Sequence, residues 1–174
     1  MRAPSPAQYS VTAASPLTQD LTDLVLHNLQ HQHEWRDLCV HSADCHLHAD
    51  IDALFAPLFK DSHPRQLISG LPPRRMYIHP DEQIAALEIE KQTGTRPDLA
   101  PEYEWVMAVQ LSEKWAVQDF AAMFAVIDAM GDTQARKGWV RSFKQKRLVL
   151  AIVHPDSTVV YYLVHDGAVK PRQN

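Results

Sequence analysis

The sequence is short of several things, and each shortage removes a class of protein. Only two cysteines occur in 174 residues, Cys39 and Cys45, so there is no disulfide framework to read. No window approaches 18 consecutive apolar residues, and no membrane span is expected. The opening stretch MRAPSPAQYSVTAASP lacks the continuous apolar core of a secretory signal. These absences point to a reducing intracellular compartment. Positive charge is not in surplus either: 17 Lys and Arg stand against 21 Asp and Glu, for a net charge of -4. Phosphate neutralisation dominates nucleic-acid affinity, so any RNA or DNA role must use a local patch or a partner.

What is present is the balance of an ordinary globular protein, 45% hydrophobic and 22% charged. That is enough apolar material for a core and excludes disorder throughout. The length fits one domain with a tail. Residues 1–15, rich in Ala, Ser and Pro, read as a flexible tail, and 16–174 as the domain.

Pro16 opens a helical pattern in which Leu17, Leu21, Leu24, Val25, Leu29, Trp35 and Leu38 recur, with His27, His31 and Glu34 on other faces. Asp20 and Asp23 suit the positive end of its dipole. The stretch around 43–64 is irregular and reads as a variable insert, with DIDALFAPLF as a short helix ended by Pro57. SGLPPRR reads as a connector, because Gly70, Pro72 and Pro73 break regular structure. RRMYIHPDEQIAALEIEKQTG reads as a short strand and then a helix. Pro80 and Asp81 start that helix, Ile84, Leu87 and Ile89 form its buried side, and Gly94 stops it.

YEWVMAVQL is the next strand, and SEKWAVQDFAAMFAVIDAMG the best amphipathic helix. Its stripe is Trp115, Phe120, Met123, Phe124, Ile127 and Met130, with Gly131 as the stop. A basic segment and two strands follow. The fold class is α+β: a mixed sheet flanked by helices, ending in an antiparallel hairpin.

The hairpin pairs Leu148–Val153 with Thr158–Val164 around HPDS. Pro155 fits the first central position of a type I turn, and Asp156 and Ser157 are favoured turn residues. On the last strand Thr158, Val160, Tyr162 and Val164 share one face; Val159, Tyr161, Leu163 and His165 share the other. Neither face is polar, the pattern of a strand covered on both sides. Such a strand is either inserted centrally or left at an edge for association. The pattern leaves both open.

Two segments carry candidate ligand chemistry. RKGWVRSFKQKR holds Arg136, Lys137, Arg141, Lys144, Lys146 and Arg147 with Trp139 and Phe143 interleaved. Basic residues with aromatics can grip a phosphate backbone and stack on bases; the plainer reading is a basic loop with buried aromatics. CVHSADCHLHAD brings Cys39, His41, Cys45, His46 and His48 together, which are zinc-ligand types. No C-x-x-C pair occurs, so this reads as a histidine-rich surface loop. His27 and His31, at i,i+4, read as a solvated helix face. No metal or cofactor is assigned.

DSTVVYYLVHDG, preceded by KRLVLAIV, resembles the end of the small accessory subunit of the eukaryotic tRNA-splicing endonuclease, the Sen-fifteen family. YIHPDEQ at 77–83, EWV at 104–106, LSEKW at 111–115 and the terminal VKPRQN match its fungal-type members. The resemblance implies a nuclease-like α/β fold inside a four-subunit enzyme that removes introns from precursor tRNA. It implies a structural, non-catalytic subunit that pairs with a catalytic one through its final strands. The turn before the last strand, His154–Ser157, would reach a subunit of the opposite pair, although the acidic character of that loop is reduced here to Asp156. The implied interface is Asp156, Val159, Val160, Tyr161, Tyr162, Leu163 and Val164, with a partner strand completing the sheet. Precursor tRNA would be met through the complex, in the nucleus or, in some lineages, on the cytoplasmic face of mitochondria.

Catalytic members of that enzyme use a tyrosine, a histidine and a lysine. Lys146 lies near where the lysine falls, but the glycine-rich G-x-H context of the histidine has no counterpart in a chain with five glycines. Tyr77 and His79 offer the chemistry in the wrong segment, where packing and a polar contact near the Pro80 helix start account for them. The other reading of the same terminal strands is self-association into a homodimer.

Overall fold

The computed structural model describes residues 16–41, 66–129 and 146–168. In chain order the elements are α1 (Pro16–His31), β1 (Arg36–His41), β2 (Leu67–Leu71), α2 (Pro80–Thr93), β3 (Glu104–Gln110), α3 (Val117–Ala129), β4 (Arg147–Val153) and β5 (Val159–His165). The short helix read in DIDALFAPLF (50–59) and the insert around 43–64 lie outside the described residues, as do Met130 and Gly131.

The strands form one sheet in the order β1-β2-β3-β4-β5. Pairing is antiparallel except between β3 and β4, which run parallel. Parallel neighbours need a long crossover, and α3 lies on that path. It packs Met123, Phe124 and Ile127 against Trp105, Met107 and Leu148 on one face of the sheet. On the other face α1 packs Val25 and Leu29 against Val106, Val149 and Ala151. β3 and β4 are therefore covered on both sides, which is why both read as near-continuous apolar runs. The α+β expectation holds, with the amphipathic stripe of α3 facing the core.

Three local expectations are corrected. The first helix ends at His31 rather than running to Leu38. Its last carbonyls are capped by the turn that follows, Gln32 N and His33 N both donating to Asn28 O at 2.9 and 3.2 Å and Trp35 N to Leu29 O at 3.0 Å. Glu34 and Asp37 then adopt positive φ, 55° and 50°, and turn the chain into β1. Trp35, just before β1, and Leu38, within it, still face the core.

The second correction concerns Gly70, which lies within β2 and not in a connector. A Cβ there would sit 2.6 Å from Leu38 Cδ2 and 3.1 Å from Trp35 Cε3. The glycine serves close approach of β1 to β2 rather than a turn.

The third concerns residues 74–93. The short strand expected directly before α2 is absent; residues 74–79 are an irregular connection between β2 and the helix. The helix starts and stops where expected. His79 caps it, its Nδ1 accepting from Asp81 N at 3.2 Å, and Gly94 closes it at φ 73° with its N–H on Glu90 O. Its apolar side is not buried: Ile84, Leu87 and Ile89 are 44%, 49% and 45% exposed, and Ala86 is its buried residue. Spacings of three and two residues scatter these side chains around the helix instead of stacking them in a stripe.

Candidate partner interface at the sheet edge

The terminal hairpin is built as its turn residues predict. Ser157 N donates to His154 O at 3.0 Å across Pro155 and Asp156, and His154 N to Thr158 O at 2.8 Å. Asp156 Oδ1 accepts from Thr158 N at 3.0 Å, and this bond holds its carboxyl below the usual range. The turn aligns Ala151 with Tyr161 and Leu150 with Tyr162 along the β4–β5 ladder.

β5 is an edge strand. β4 flanks it on one side, and among the described residues no strand flanks it on the other. Val159, Tyr161 and Leu163 pack against the α1 side of the core and Val164 against the α3 side. The two adjacent tyrosines differ sharply. Tyr161 lies under α1, donating its hydroxyl to Asn28 Oδ1 at 2.6 Å, with the His33 ring edge-on at 5.1 Å. Burial pushes its pKa up to about 12. Tyr162, on the opposite face, is 56% exposed. The strand thus offers open backbone groups between apolar side chains.

A second constellation sits at the end of the sheet where β3 and β4 begin. Arg147 is 3% exposed and Glu104 1%. Arg147 Nε donates to both Glu104 oxygens at 3.0 and 2.8 Å, and Nη2 adds a further bond to Glu104. Glu102 bridges Arg147, at 3.2 Å, to Arg75, which also pairs with Glu82 at 3.0 Å. Burial raises the Glu104 pKa, and the two arginines pull against that rise. The Arg147 guanidinium lies over the Tyr77 ring, and the Tyr77 and His165 rings meet at 4.7 Å. Tyr77 Oη and His165 Nε2 are both buried without a hydrogen-bond partner. Burial, and then the Arg147 charge, lower the His165 pKa.

This geometry revises the basic segment. Arg147, read from the sequence with the RNA-contacting residues, has its charge enclosed by Glu104 and Glu102 and offers no free donor face to a phosphate. Lys146 is partly exposed and ion-paired with Asp128 of α3. Arg136, Lys137, Arg141 and Lys144, with Trp139 and Phe143, lie outside the described residues.

The remaining candidates separate. His79 is the helix cap and does not meet Tyr77's partner His165. Cys39 is exposed, whereas His41 bonds Ser69 Oγ at 2.8 Å; Cys45, His46 and His48 lie outside the described residues. The His27 and His31 rings meet at 4.4 Å, tilted by 47°, on an exposed helix face. Among the described residues no three His, Cys, Asp or Glu side chains group as metal ligands.

Sequence reasoning did not single out the Glu104–Arg147 pair. A signal was available: each of two apolar strands opens on one charge, of opposite sign, and a charge at such a position needs a partner.

The Sen15 protein family matches residues 24–174 of this chain. The chain is 41% identical over 165 residues to the probable tRNA-splicing endonuclease subunit tsp-1 of Neurospora crassa, an overlap covering 90% of this chain and 66% of that relative. It therefore spans just under two thirds of the relative's length. With the family match running from within α1 to the last residue, this chain belongs to the Sen15 protein family.

Proposed function

We propose that the chain is a structural, non-catalytic subunit of a tRNA-splicing endonuclease and that β5 is where a catalytic subunit continues its sheet. The observation that carries this reading is the open edge of β5, apolar on both faces and bearing an exposed Tyr162. Edge strands of this kind are normally blunted by charge, bulge or cover. Here the unpaired backbone supplies affinity to an added strand, and alternate side chains supply selectivity. The Neurospora crassa relative, named as a subunit of that enzyme, supports the assignment.

The internal chemistry agrees with a non-catalytic role. Phosphodiester cleavage by an adjacent 2′-hydroxyl needs a base, an acid and a cation converging on one phosphate. Tyr77 and His165 touch each other, but Tyr77 Oη and His165 Nε2 are buried. Lys146 is held by Asp128 on the α3 face, whereas His165 follows Tyr161 and Leu163 on the α1 face. The three groups do not converge.

RNA contact belongs to the same reading, through Arg136, Lys137, Arg141 and Lys144, with Lys146 at the end of the run. The nuclear location belongs to it as well. The test is to express the tagged chain in its native cell and identify what copurifies by mass spectrometry. Stoichiometric recovery of endonuclease subunits is the expected result. Recovery of the chain alone, at the mass of a homodimer, would overturn the splicing assignment while leaving β5 as the pairing strand.

A further inference from the structure

Between the two connections that flank α2 lies a groove of about 530 Å³, open to solvent and lined by Arg74, Arg75 and Arg96 among prolines. It sits at the end of the sheet where β2 stops and β3 and β4 begin. Arg74 and Arg96 are exposed, and among the described residues neither has an acidic partner. Arg75 forms a different part of the wall. Its side chain is 8% exposed, two of its nitrogens are held by Glu82 and Glu102, and its Nε is buried without a partner. One carboxylate, Asp98, also lines the groove.

We infer that this groove is a phosphate-backbone site for RNA, filled by Arg74 and Arg96 over a floor fixed by Arg75. The inference deepens the reading of the chain as an endonuclease subunit and rests on it for the identity of the RNA. Three arguments favour this occupant. Guanidinium groups present forked donors that match phosphate oxygens. Free arginines are unusual beside Arg75 and Arg147, whose guanidinium groups are ion-paired with carboxylates. A peptide that adds as a strand would need an open strand edge, and none of the residues lining the groove belongs to a strand.

The chain carries a net charge of -4, so long-range attraction does not gather RNA here. The groove therefore acts at short range, fixing the position of RNA already bound by the enzyme. Phosphate contacts set register and orientation and carry no sequence information.

The experiment measures binding of a labelled precursor-tRNA transcript to the full chain and to the assembled enzyme between 50 and 200 mM salt. Arg74→Gln/Arg96→Gln should weaken binding several-fold and lower the slope of log affinity against log salt by about 1.4, the value for two contacts to single-stranded RNA. The loss should be uniform across transcript sequences. Asp98→Asn should tighten binding. Neither change touches the buried ion cluster, so thermal unfolding should match wild type. Arg141→Glu/Lys144→Glu is run in parallel. An unchanged slope for the groove variant beside a lowered one for the parallel variant would sink the groove and leave the RNA reading standing. Unchanged RNA affinity with loss of copurifying subunits would make it a protein contact and overturn it. Absence of endonuclease subunits from wild-type preparations would reject the subunit reading, a result distinct from an unchanged slope in the assembled enzyme, which rejects the groove alone.

Discussion

The Tyr161 hydroxyl donates to Asn28 Oδ1 at 2.6 Å, tying the last strand to the first helix. Asn28 Nδ2 in turn donates to Gln32 Oε1 at 2.8 Å, in the turn that ends α1. The edge strand is thereby held to its own domain on one face, while Tyr162 on the other face stays open. Removing the bond alone, in Tyr161→Phe, should cost about 0.5–1.5 kcal/mol in urea unfolding. The effect should also depend on pH. The folded pKa, about 12, lies above the unfolded value of about 10, so the folded protein keeps a proton that the unfolded chain gives up. The stabilisation is complete below pH 10 and is lost as pH rises toward 12. Wild type and Tyr161→Phe should therefore converge in stability over that window.

Tyr162 should behave in the opposite way. Its side chain is 56% exposed, and surface substitutions of this kind usually change stability by less than about 0.5 kcal/mol. Tyr162→Asp should leave the urea midpoint nearly unchanged yet abolish copurification of endonuclease subunits. A variant that still assembles at full stoichiometry would show that this face of β5 is not the interface.

The Glu104–Arg147 pair should be costly to break and cheap to replace. Arg147→Met leaves the buried Glu104 carboxylate without its paired guanidinium and should cost about 3–5 kcal/mol. Glu104→Leu combined with Arg147→Met should recover most of that loss, because an apolar pair of similar volume needs no solvation. A double-mutant cycle in chemical denaturation reads both numbers. Additive losses would mean that the two side chains do not depend on each other.

His165 should make the protein acid-sensitive. Burial and Arg147 lower its pKa, so the unfolded chain binds this proton more readily than the folded one. The stability it contributes is present above the unfolded pKa of about 6.5 and is lost as pH falls below it. His165→Leu keeps the packing against Tyr77 and removes the titrating group. Its unfolding free energy should fall less between pH 7.5 and pH 5.5 than that of wild type; equal falls would place the acid sensitivity elsewhere.

Much of this was legible in the chain because it is encoded over short distances. Pro80 and Gly94 delimit α2 since a proline tolerates only the first turn of a helix and a glycine readily takes positive φ. The stripe from Phe120 to Ile127 identified α3, and HPDS between two apolar runs identified the hairpin. The alternation of β5 also assigned Tyr161 and Tyr162 to opposite faces.

Other features depended on what each element meets in space. Trp35 and Leu38 continue the spacing of α1, yet positive φ at Glu34 and Asp37 redirects the chain and leaves Trp35 just before β1 and Leu38 within it. Gly70 reads as a breaker until Leu38 and Trp35 are seen 2.6 and 3.1 Å from the position of its absent Cβ. Arg147 belongs by sequence to a basic run and by packing to Glu104. The sequence by itself determined that β5 is apolar on both faces and sits in a hairpin. Only the tertiary structure decided that β5 lies at the edge, because strand order depends on pairings far apart in the chain: the parallel match of β3 with β4, bridged by α3, leaves the final strand outermost.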